Sequence, residues 1–258
     1  MNIGICKFCG EEKKLINSHI IPKCFYRLHE TGGISVVNVK EKKIDRDPKQ
    51  QKGLTEPLMC KDCDNKIGTW DGYANKILTK VIPKAKTMPV LYGRKYEKAY
   101  ILEGKYYDYD KLRLFFISLI WRASICSSYS FSLGQHEKTA LRILRSEIQD
   151  NDQLFLPIIF RRGGNIPTNF ITGIFDTKHH GKETCIIKFP NYELMISANP
   201  RRNATTDYWR DAFSRDIIMV IEITQGMKTD YQLARGFIEA RDAFLATNPR
   251  IPKSFRKN

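Results

Sequence analysis

The sequence predicts an α+β protein in two parts, a small metal-organised N-terminal module and a larger body of helices and mostly antiparallel strands. Three observations predict it. Two C-x2-C pairs, Cys6/Cys9 and Cys60/Cys63, lie within the first quarter of the chain. Apolar residues recur at three- and four-residue spacing in several segments, the signature of amphipathic helices. Short β-branched runs such as Ile217-Ile218-Met219-Val220-Ile221 mark strands in the second half. At 258 residues the chain can bury one or two cores.

The elements follow in order. Residues 1–15 read as a knuckle, with Gly10 after Cys9 where a tight turn folds its amides toward sulfur. Residues 34–39 (ISVVNV) form an expected short strand and 40–52 an expected charged loop. From Asp64 to Val81 the residues Ile67, Trp70, Ala74, Ile77, Leu78 and Val81 share one helical face, and Pro83 stops the helix. The second cysteine pair therefore sits at a helix start. Pro89 marks the expected boundary region, giving a module at 1–92 and a body at 93–258. The body is expected to open with a strand pair at 96–102 and 105–109, then helices at 110–124 and 135–149. Strands are expected at 154–160, 170–175, 184–189, 192–197 and 217–223, with a last amphipathic helix at 229–246 and a loose basic tail.

Charge narrows the partners. Lys and Arg number 43 against 28 Asp and Glu, a formal charge of +15. Residues 1–100 hold 20 basic and 11 acidic side chains, so the excess is denser beside the cysteines. Such a field attracts polyanions, and nucleic acid is the leading partner; a solvated basic surface is the plainer alternative. The apolar stretch Leu112 to Cys126 is broken by Arg113 and Arg122, too early to span about 20 residues of bilayer. The start MNIGICKFCGEEKKL lacks an apolar signal-peptide core, so a cytoplasmic location without membrane association is expected.

Four thiolates in two C-x2-C pairs can close a tetrahedral zinc shell, which in a non-secreted chain fits the spacing better than a disulfide framework. A closed four-sulfur shell has no open position, so this ion is structural. Cys24, Cys126 and Cys185 read as core thiols, and His179-His180 as a basic turn.

Between the pairs lies Asn17-Ser18-His19-Ile20-Ile21-Pro22-Lys23, and around the second pair Leu58-Met59-Cys60-Lys61-Asp62-Cys63-Asp64-Asn65. Here the chain resembles the HNH, or ββα-metal, nucleases. The runs SHIIPKCFYR, GLTEPLMCKDCDNKIGTWDGY and LRLFFISLIWRAS resemble those of a group of bacterial HNH endonuclease-like proteins of similar length. The resemblance implies a ββα-metal module, with His19 as the general base and Asp64 as ligand of a catalytic Mg²⁺ or Mn²⁺. An imidazole, with an ordinary pKa of about 6.5, suits the generation of a nucleophile near neutral pH. A hard cation on carboxylate oxygen suits the phosphate charge.

The family commonly has an acidic residue before the base, where this chain has Ser18. Glu56 and Asp71 are the candidate substitute carboxylates, with Glu56 preferred by reach, since Asp71 lies about 10.5 Å along the helix from Asp64. Alternatives stand beside each role. His19 is also read as a packing residue or a zinc ligand, Asp64 and Asn65 as helix-start residues, and Asn38 as an orienter of the base. The expected function is a metal-dependent endonuclease, with a phage-defence or mobile-element setting, and a body that grips substrate, dimerises the chain or regulates it. A zinc-stabilised nucleic-acid-binding protein without catalysis is the alternative, and an interaction adaptor the third.

Overall fold

The computed structural model describes residues 2–26, 35–38, 43–45, 53–92, 95–129, 131–150, 154–163, 170–172, 175–179, 182–197 and 212–224. Strand β1 (Ile3–Ile5) and β2 (Glu12–His19) form an antiparallel hairpin around the first cysteine pair. The short helix α1 (Lys23–Tyr26) follows, then β3 (Ser35–Asn38) and β4 (Lys43–Asp45). The stretch 40–52, expected as loop, thus holds a strand, because Lys43–Asp45 pairs antiparallel with Val36–Asn38. Strand β5 (Thr55–Cys60) returns antiparallel to β2 and leads directly into helix α2 (Lys61–Lys76). A π turn over Ile77–Val81 and a 3-10 turn over Ile82–Lys84 end this helix where Pro83 cannot continue it.

Strands β6 (Lys86–Tyr92) and β7 (Lys95–Glu103) form the next hairpin. This corrects the strand pair expected at 96–102 and 105–109. The first of those strands is β7, whose hairpin partner lies before it, and Gly104–Tyr106 is a 3-10 turn into the next helix. Helix α3 (Tyr109–Ile125) begins at Asp108, whose side chain accepts from the Lys111 amide at 3.1 Å. Helix α4 is shorter than expected, Glu137–Leu144, and Ile148 lies outside it. Strands β8 (Leu156–Arg162), β9 (Phe170–Thr172), β10 (Phe175–His179), β11 (Lys182–Phe189), β12 (Tyr192–Ser197) and β13 (Ile217–Ile223) complete the described chain. The expected helix at 229–246 and the basic tail lie outside the described residues.

Among the described residues there are three sheets. One has the order β1-β2-β5, one β4-β3-β9, and the third is seven-stranded, β10-β11-β12-β8-β13-β7-β6. All its neighbours run antiparallel except β8 and β13. The mixed α+β class is therefore as expected. Strand β13 lacks polar alternation because both faces are buried: Ile218 and Val220 join the core around α3, and Met219, Ile221 and Ile223 a second core on the other face.

The main core runs without a break across residue 92. It contains Cys6, Phe8 and Ile20 from the N-terminal elements together with Phe115, Trp121 and Phe189 from the later ones. Phe8 meets Trp121 edge-on with centroids 5.9 Å apart, and Phe25 packs against both Phe115 and Phe189. The Tyr192 hydroxyl donates to the Leu78 carbonyl, and β3 pairs in parallel with β9. No described helix is long and apolar enough to cross a membrane.

Candidate metal centre and the site beside it

The hairpin turn between β1 and β2 carries Cys6 and Cys9. It is closed by the Cys6 amide on Glu11 O (2.9 Å) and the Gly10 amide on Cys6 O (2.8 Å). Gly10 has φ +81°, a conformation that favours a residue without Cβ. Cys60 ends β5 and caps α2, which carries Cys63 in its first turn. The register Leu15 to Cys60 and the Lys7 amide on Leu58 O (2.9 Å) bring the two pairs together. The four sulfurs lie within 4.8 Å of one another, and none of the seven cysteines is in a disulfide.

A tetrahedral shell with bonds of about 2.3 Å separates its sulfurs by about 3.8 Å, so the four thiols fit a metal ion. Cys6 and Cys60 are buried, Cys9 and Cys63 half-buried. Burial and the neighbouring thiols raise Cys63. Burial also opposes ionisation of Cys6, but amides of Cys9, Cys60 and Phe8 outweigh it and bring Cys6 down to about 7. The Cys60 amide on Cys6 Sγ, at 3.3 Å, is one of those donors. A cation would supply the charge that four crowded thiolates lack.

His19 is half-buried at the end of β2, and Asp64, also half-buried, stands in the first turn of α2. Asp71, two turns further along α2, lies within electrostatic reach of both. Burial raises the Asp71 carboxyl against the opposing pull of Arg122. Arg122 comes from α3, is 2% exposed, and meets Asp71 bidentately at 2.8 and 2.9 Å. The same guanidinium donates to the His19 carbonyl (3.0 Å) and to Ser118 O (3.2 Å). Gly53, at φ +78°, lies beside the rings of Tyr26 and His19. A Cβ there would meet Tyr26 at 2.7 Å and His19 Cδ2 at 3.2 Å.

Glu56 is elsewhere. It pairs with Ser18 in the β2–β5 register, and strand alternation puts that pair on the face opposite His19 and Thr55. Its carboxylate accepts from the amides of Ser127 and Ser128 (both 2.9 Å) and from the Ser128 hydroxyl (2.5 Å). The pleat of the strand thus turns Glu56 toward residues 127 and 128, while Asp71 is engaged by Arg122. Ser18 is fully buried, with its hydroxyl 3.5 Å from Ile16 O, so a carboxylate there would be a buried charge. Asn38 lies in β3, on a different sheet from His19.

The remaining thiols are placed as expected. Cys126 and Cys185 are buried, and Cys24 is half-buried and pushed up to about 11 by burial and by Asp71. His179 ends β10, and His180 lies outside the described residues. Among the described residues the four cysteines are the one group of three or more His, Cys, Asp or Glu gathered closely enough to hold an ion. His19, Asp64 and Glu56 do not form a second.

Sequence reading missed Arg122 as a site residue, treating it only as an interruption of an apolar run. A buried arginine inside a largely apolar helix needs an anionic partner, and that was the available signal. Arg145 was missed likewise; its Nε donates to the Phe8 carbonyl inside the first cysteine turn. Compared with known protein families, with curated proteins and with solved structures, the chain matches none of them.

Proposed function

We propose that this chain is a metal-assisted endonuclease of the HNH type, built on a structural zinc site and acting at His19. The observation that carries the proposal is that His19, at the end of β2, and Asp64, in the first turn of α2, both lie within electrostatic reach of Asp71 further along that helix. An all-thiolate tetrahedral set suits zinc, and its closed shell keeps that ion out of the chemistry. Its part is to hold the two cysteine turns together.

His19 would take the proton from a water facing the phosphorus, and Asp64 would hold a divalent cation. Bound there, Mg²⁺ or Mn²⁺ supplies charge stabilisation at the phosphate and the leaving oxygen. Such an ion commonly uses one or two carboxylates and completes its shell with water and substrate phosphate oxygens. A single Asp64 is then an adequate protein share, and a dense ligand cluster is not required. The +15 charge provides the attraction for the polyanion, with DNA as the favoured substrate.

The second reading, a binding protein without catalysis, is favoured by one observation, the lack of a second ligand cluster among the described residues. Plasmid nicking in Mg²⁺ or Mn²⁺ separates the two. Cleavage that His19→Ala abolishes is the expected result, and cleavage that survives it sinks the assignment of the base. Salt-sensitive binding with no cleavage selects the binding protein.

A further inference from the structure

We infer that Arg122 and Asp71 form a positioning pair through which the body of the protein sets the end of strand β2, and with it His19. The inference rests on the nuclease reading and deepens it by giving α3 a part in the site. Residues 93–258 then complete the site, in addition to any grip on substrate.

The geometry is specific. Arg122 uses four of its five N–H donors: Nε on Ser118 O, Nη1 on both His19 O and Asp71 Oδ2, and Nη2 on Asp71 Oδ1. The Ser118 contact lies one turn back in the same helix, so the guanidinium plane is braced before it leaves α3. From there one fork joins three elements, the end of β2, the middle of α2 and the body. Lysine has no planar fork and cannot make these bonds together. Both partners are withdrawn from water, with Arg122 at 2% and Asp71 at 14% side-chain exposure, so the pair holds its geometry with little competition.

The bond to His19 is made at its backbone carbonyl and not at the imidazole. Fixing that carbonyl limits rotation of the His19–Ile20 peptide where the chain leaves β2, and so restrains the backbone that carries the imidazole. The Gly53 backbone sits against the Tyr26 and His19 rings, which a side chain at 53 would displace. Arg122 would touch no reacting atom, and it is a positioning residue.

The test uses the full-length, zinc-loaded protein. Arg122→Lys keeps the charge and removes the fork, and folding is checked by circular dichroism and by the thiolate-to-metal bands of the cobalt-substituted protein. The expected result is a fall in kcat for Mn²⁺-dependent plasmid nicking of about a hundredfold, the cost of an ångström-scale misplacement. KM should stay within about twofold, since no substrate contact is removed. The His19 ring signal in a ¹H–¹⁵N NMR spectrum should shift or broaden. Should R122K not fold, Asp71→Asn carries the same measurements, as it weakens the fork without stranding a buried carboxylate. A folded variant with wild-type kcat and an unmoved His19 signal overturns the positioning role. No cleavage by the wild-type protein overturns the nuclease reading alone, and the NMR signal then still decides whether Arg122 positions His19.

Discussion

Single residues show how closely the site is packed. Gly53 is demanded twice, by its φ of +78° and by the Tyr26 and His19 rings beside it. Gly53→Ala should destabilise the protein by about 2–4 kcal/mol, adding the left-handed backbone penalty to the overpacking of a buried ring. Urea unfolding monitored by tryptophan fluorescence measures it, and a loss under 1 kcal/mol, about the size of an ordinary surface change, would contradict the crowding. Ser18 carries a similar lesson. The position before His19 is fully buried, so packing accounts for a small hydroxyl there, whatever the chemistry beside it.

At the level of elements, helix α3 organises the surroundings of the site. It is buried on nearly every side, and its two internal arginines are each matched. Arg113 meets Asp150 at 2.6 and 3.0 Å and donates to the carbonyls of Leu154 and Phe155, while Arg122 meets Asp71. The turn after α3 is held by Glu56 through the amides and hydroxyl of residues 127 and 128. Burial raises the Glu56 carboxyl, but the serine donors outweigh it and hold it below the ordinary glutamate value. Its contribution is therefore complete above about pH 4.3, the unfolded value, and is lost as pH falls through the lower folded value. Wild type should exceed Glu56→Gln in stability by about 1 kcal/mol near neutral pH, a figure reduced for solvent exposure. The gap should close at strongly acidic pH, and denaturation curves across pH check this. A gap that stays constant would mean that the carboxylate charge does not hold the turn.

On the same scale, periodicity found most elements. Strands 192–197 and 217–223 fall where the β-branched and alternating runs put them, and α3 differs by one residue at each end. The hairpin β6–β7 was missed because Lys86–Tyr92 contains Pro89 and reads as a boundary. As an outer strand of the sheet, β6 tolerates that proline. Strand β4 was missed because a three-residue polar strand has no pattern of its own and exists through its pairing with β3.

For the whole molecule the continuous core decides how it should unfold. Cys6, Phe8 and Cys60 belong to the same apolar cluster as Trp121 and Phe189, so an ion held by the four cysteines would support packing beyond residue 92. Metal binding at such a four-cysteine site is worth on the order of 10 kcal/mol. Stripping the ion with a strong chelator should lower the melting temperature of one cooperative transition, followed by circular dichroism, and returning zinc should restore it. A separate early transition, with the body melting unchanged, would show that the N-terminal elements are an independent unit. An unchanged melt after removal would show that the cysteines hold no structural ion.

The amino-acid sequence by itself determined the four-cysteine ligand set, the helix that starts at the second pair, the mixed α+β class and the basic character. These are local or additive properties: ligand spacing, apolar period and charge count. Only the tertiary structure decided what Glu56 and Asp71 each meet. Glu56 and Asp71 were both available along the chain, but strand alternation turned Glu56 toward residues 127 and 128, while packing of α3 on α2 delivered Arg122 to Asp71 and to the His19 carbonyl. Those contacts join residues 51 and 103 positions apart. No local pattern encodes such a meeting, because it exists only once two buried surfaces have chosen each other.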